Sequence, residues 1–169
     1  MKLSRRIALC GLLTAAALVL SLVEKMFPLQ AAVPIPGVKL GLANVVTLFA
    51  LQYLGVRQTA AIVLVRVTLS SVFMGSVTGF LFSLFGGMLA LLVMRLLLPR
   101  AGRWFSLPGV SVAGAAAHNV GQICAAVLVL GTTDVVGYLP LLLVMSIPLG
   151  LVTGAVCAAV LGHLKKLPF

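Results

Sequence analysis

The chain has 169 residues, of which 62% are hydrophobic and only 8% charged, and its mean hydropathy is +1.27. No soluble fold can clothe its surface from so few polar side chains, so the expected class is an all-α integral membrane protein. The net charge of +10 would point to nucleic acid in a soluble domain, but here Lys and Arg stand singly or in small groups between apolar runs. That is the pattern of cytoplasmic loops, and no nucleic-acid partner is expected.

The first predicted span runs over residues 7–26, behind the basic start Lys2, Arg5 and Arg6. It is too long for the apolar core of a signal peptide and lacks a convincing cleavage site, so it reads as a retained helix. Gly11/Ala15 and Ala17/Ser21 are small residues four apart, the spacing at which another helix can approach closely, inside this bundle or from a partner. Phe27 to Gly37 carries three prolines and a glycine, which no helix accommodates. The segment is apolar, so it is expected to tuck over the outer mouth of the bundle as a cap.

A second span is predicted over 38–53, short for a hydrocarbon core about 30 Å thick. Its start, Gly-Val-Lys-Leu-Gly-Leu-Ala-Asn, places Lys39 beside free backbone N–H groups at a helix N-terminus, which favours an anion, with Asn44 a turn deeper. The third span, 58–73, has Arg66 near its middle. A guanidinium there costs at least about 2.5 kcal/mol on insertion scales and keeps its charge. Only two acidic residues exist, Glu24 and Asp134, and both are expected at outer helix ends. Arg66 would then need a bound anion, or else hydrogen bonds to helix carbonyls, Asn119 or Gln122.

The fourth span, 77–98, contains Ser83 and Gly86-Gly87, a pair expected to allow close helix packing. Arg95, Arg100 and Arg103 follow in a loop with Pro99, Trp104 and Pro108. The fifth span, 110–130, carries His118, Asn119 and Gln122, a polar group that lipid would not tolerate. His118 and Gln122 are four apart and share a face with Ser111 and Ala115. They line a substrate site or serve as glue between helices. The sixth span, 138–164, contains Pro140 and Pro148.

Six spans make one compact domain over residues 1–169, with both termini on one side. If that side is cytoplasmic, Lys2, Arg5, Arg6, Arg57, Arg95, Arg100, Arg103, Lys165 and Lys166 lie inside and only Lys25 and Lys39 outside. Cys10, Cys124 and Cys157 fall in apolar runs without metal-ligand spacing and read as buried thiols. No P-loop, nucleophile motif or magnesium-binding carboxylate cluster is present, so neither catalysis by this chain alone nor a cofactor is expected.

Glu24-x-x-Phe27-Pro28, Pro36-Gly37-Val38-Lys39-Leu40-Gly41-Leu42-Ala43-Asn44, Arg66, Ser83-x-x-Gly86-Gly87, Gly109-Val110-Ser111-x-x-Gly114-Ala115 and His118-Asn119-x-Gly121-Gln122 together resemble the bacterial Gx transporter family. That family is also described as heptaprenyl diphosphate synthase component I, and it is similar to the substrate-binding S components of energy-coupling factor transporters. The resemblance implies a multi-pass protein of the bacterial cytoplasmic membrane that captures a small polar or anionic, vitamin-like molecule from outside. Its partners would be a transmembrane coupling subunit and ATPases. The other description implies a non-catalytic membrane subunit beside a prenyl synthase catalytic subunit. The A-x-x-x-A docking pattern of many S components has only Gly11/Ala15 and Ala17/Ser21 as equivalents here. Lys39, Asn44, Arg66, His118, Asn119 and Gln122 are the expected ligand contacts.

Overall fold

A computed structural model of the chain describes residues 3–24, 39, 41–74 and 76–164. Six α-helices make up nearly all of it: α1 Leu3–Val23, α2 Asn44–Tyr53, α3 Val56–Met74, α4 Val77–Leu97, α5 Leu107–Leu130 and α6 Leu139–Leu164. Short 3₁₀ turns at Leu98–Arg100 and Asp134–Tyr138 join α4 to α5 and α5 to α6. All helices but α2 are long and apolar enough to cross a bilayer. The chain is an all-α, multi-pass membrane bundle.

Local chemistry sets the ends. Ser76 and Ser106 cap α4 and α5, each hydroxyl accepting the N–H three residues on, from Gly79 at 3.0 Å and Gly109 at 3.1 Å. Pro108 lies in the first turn of α5, where its missing N–H costs nothing. Pro148 lies within α6 without ending it.

The prediction for the second span needs correction. Instead of covering 38–53, the helix begins only at Asn44 and is ten residues long, about 15 Å at 1.5 Å per residue, half a hydrocarbon core. Lys39 lies outside any helix, and Gly41 turns the chain with φ +84°, a left-handed conformation that an α-helix cannot contain. The other helices match their predicted spans to within a few residues. The proline-rich segment 27–37, expected as a cap, lies outside the described residues.

α5 is the most buried of the long helices and α1 the least. α5 lies between α4 and α6 and shares the largest interfaces of the bundle with both, because glycines remove the side chains that would hold the backbones apart. A Cβ on Gly121 of α5 would lie 2.6 Å from the Phe85 carbonyl oxygen of α4, and one on Gly150 of α6 would collide with the Val112 backbone. α1 packs chiefly on α3. Ala17 and Ser21 are its buried residues, so that small pair is used inside the bundle, whereas Gly11 and Ala15 face outward.

Two apolar clusters fill the ends of the bundle. Phe82, Ile123, Ala126 and Leu142 form one, and Leu48, Leu91, Met94, Val110 and Cys157 the other. Between them, at the level of residues 83–87 of α4 and 118–122 of α5, the interior turns polar.

Candidate functional site

The polar layer begins with Gln122 of α5, whose amide is spent on a single residue. Its Oε1 accepts the Lys39 backbone N–H at 2.8 Å, and its Nε2 donates to the Lys39 carbonyl at 2.7 Å. The side chain reads the backbone as a neighbouring strand would, and fixes the segment before α2 against α5. From there the Lys39 ammonium donates to Ser83 of α4 at 3.1 Å and to Ser70 of α3 at 3.5 Å.

Gln122 is thus a positioning group, and Lys39 ties three helices together. Ser70 lies one turn beyond Arg66 on the same face of α3. Sequence reasoning missed Ser70 because a serine on a lipid-crossing helix so often returns its hydroxyl to its own backbone, as Thr68 and Ser71 do.

Glu24 lies at the end of α1, as expected, but in a setting the sequence did not suggest. It is not an acid at a wet helix end: only 5% of its surface is exposed, and its Oε1 accepts the backbone N–H groups of Gly41 and, at 3.2 Å, Leu42. The anion site anticipated just before α2 is therefore filled by the chain's own carboxylate. Burial raises the Glu24 pKa, and the Leu42 and Gly41 N–H groups, then Lys39 and Arg66, act to lower it. A sequence signal existed in the scarcity of acids, but its meaning depends on the chain returning to α1 some seventeen residues later.

Arg66 is buried, with 4% exposure, and feels the Glu24 charge across the interior, with no ion pair between the two among the described residues. Its Nη1 donates to Ser21 of α1 at 3.4 Å, while Nη2 has no partner among the described residues. Glu24 is nearer to Arg66 in field than its place at a helix end suggested, but the hydrogen bond of the guanidinium goes to Ser21. Neither alternative partner from the sequence, Asn119 or Gln122, is used. Glycine makes the room: a Cβ on Gly87 of α4 would come within 3.2 Å of Nη2.

His118 is wedged between two glycines. A Cβ on Gly86 would lie 2.9 Å from its Nδ1 and Cε1, and one on Gly41 would lie 3.1 Å from its Cδ2. Among the described residues both ring nitrogens are buried without a hydrogen-bond partner, and so are both amide atoms of Asn44, whose Nδ2 lies 2.7 Å from the same hypothetical Gly41 Cβ. Asn119 points elsewhere. It is one step round α5 from His118, and its Nδ2 donates to the Leu142 carbonyl of α6 at 2.8 Å.

The structure therefore brings together Lys39, Asn44, Arg66, His118 and Gln122, adds Ser21, Glu24, Ser70 and Ser83, and sets Asn119 apart against α6. Unpaired buried polar atoms cost about 1–3 kcal/mol each, and most native side chains avoid this state. Among the described residues Asn44, Arg66 and His118 share it within one layer, as does the Oδ1 of Asn119 on its side of α5. The charge count there, among the described residues, is two cations, Lys39 and Arg66, to one carboxylate, Glu24. Such an arrangement can hold an anionic, hydrogen-bonding group. Among the described residues no three His, Cys, Asp or Glu side chains gather as a metal site.

Fold and site define a membrane-embedded helical bundle with a positively biased polar layer at mid-height. Residues 13–160 match the family described as heptaprenyl diphosphate synthase component I. The chain belongs to that family. No curated protein and no solved structure matches it.

Proposed function

We propose that this protein is a non-catalytic membrane subunit of polyprenyl diphosphate synthesis, whose polar layer holds the anionic head of a ligand for a separate catalytic chain. The observation that carries the reading is the set Asn44, Arg66 and His118, buried with polar atoms unspent, beside an excess positive charge, among the described residues. The family description names one component, and so implies another. With two acidic residues in the whole chain, one of them bound to backbone N–H groups, the carboxylates that hold magnesium in prenyl transfer belong to that other chain.

The test is reconstitution. The catalytic chain, co-expressed with this protein in liposomes, should co-purify with it and make more polyprenyl diphosphate than it does in liposomes without it. Absence of both effects would discard the reading. Arg66→Met should abolish the gain while leaving association intact, and should weaken binding of inorganic pyrophosphate by roughly 2–5 kcal/mol, the usual cost of breaking a buried charge pair.

A second reading is capture of a compact polar molecule from the outer side, handed to coupling and ATPase subunits. It is favoured by where the unspent atoms lie, enclosed among α2 to α5 between two apolar clusters. That setting suits a small ligand better than the head of a long isoprenoid. Mass spectrometry of what co-purifies separates the two: a prenyl diphosphate supports the first and a small heterocyclic or carboxylate molecule the second.

A further inference from the structure

We infer that Glu24 is an internal competitor for the anion that the polar layer binds, occupying its N–H groups, offsetting Lys39 and Arg66, and so setting how tightly an anion is held. This rests on the reading that the layer receives an anionic group. The N–H groups of Gly41 and Leu42, just ahead of α2, are where the chain would cradle an external anion, and the Glu24 carboxylate already sits on them.

Among the described residues, the cations that act on this carboxylate are Lys39 and Arg66, the residues that an incoming anion would also need. The neighbouring Arg66 Nη2, Asn44 amide and His118 ring are buried and without partners among the described residues. Those atoms point to a ligand independently of the N–H groups. An anion entering the layer meets a positive charge already half neutralised, and it must displace Glu24 or share the cations with it.

A purely structural cap makes a different prediction. Capping requires only an acceptor oxygen, which the amide of Glu24→Gln retains, whereas competition requires the charge, which that variant loses. Pyrophosphate affinity should be measured by calorimetry on wild type and Glu24→Gln in nanodiscs. Removing a like charge from a buried site should tighten binding about tenfold or more. Equal or weaker binding by the variant, with the wild type still binding, overturns the competitor role and leaves the anion-binding reading standing. Binding by neither overturns both.

If Glu24→Gln does not fold, the wild type supplies the decisive measurement, because Glu24 is the only glutamate in the chain. Carboxyl-¹³C glutamate then gives a single protein resonance. Saturating pyrophosphate should shift it as the carboxylate leaves or re-partners its N–H groups. A resonance unmoved while calorimetry registers saturation overturns the proposal.

Discussion

Gly86 decides where the His118 ring can sit, because any Cβ there would occupy the space of the imidazole edge and of the His118 carbonyl oxygen. Gly86→Ala is therefore expected to cost about 1–3 kcal/mol, the usual range for overpacking, read as a lower thermal midpoint of the purified protein. Asn119→Leu should cost less, about 1 kcal/mol for one neutral hydrogen bond to the Leu142 carbonyl. It should also leave pyrophosphate affinity unchanged, since Asn119 faces α6. Lys39, Arg66, His118 and Gln122 were legible in the sequence because a polar residue inside an apolar run must be explained. What each one touches was not. Gln122 and Asn119 have the same chemistry, and only the helical phase, a turn of about 100° per residue, sends one to Lys39 and the other to α6.

At the scale of elements, α5 was legible in its length and in its end at Leu130, but not in its start, because Pro108, read as part of the preceding loop, lies in the first turn behind the Ser106 cap. α2 was not. Its apolar pattern continues back toward Val38, and what prevents helix there is Gly41 in a left-handed conformation together with N–H groups claimed by Glu24 from a distant part of the chain. Tertiary contact overrode local periodicity. The packing of α4, α5 and α6 gives a contrast that can be measured. Gly121→Val places side-chain atoms against the Phe85 backbone and should destabilise by about 1–3 kcal/mol or more. A Cβ on Gly11 of α1 meets nothing within 4 Å, so Gly11→Val should stay within about 0.5 kcal/mol, as outward-facing substitutions do. Thermal unfolding of the two variants in the same detergent compares them directly. Equal loss at both positions would mean that Gly11 is covered by something in the purified particle.

For the whole molecule, the segregation of basic residues predicts both termini and the Arg95–Arg103 stretch on the cytoplasmic side. In a cysteine-free background, a single cysteine at Arg100 should react with an impermeant reagent only after the membrane is opened. Labelling in intact cells would reverse the orientation. The bundle class followed from composition, which leaves no alternative for so apolar a chain. The layering did not, because polar residues from α1, α3, α4 and α5 reach one height only once the helices are packed, and no sequence window contains them together.

The order of the partners along the chain bears on how the protein enters the membrane. α3 is the least hydropathic of the five long helices, and in chain order α3 carries Arg66 into the bilayer ahead of α4 and α5. By then Ser21 and Glu24 have already left the ribosome on α1 and its end. The first helix is thus available as a chaperone in cis, offering the arginine a hydroxyl and a counter-charge at the moment of insertion, ahead of His118 and the glycines of α4 in chain order.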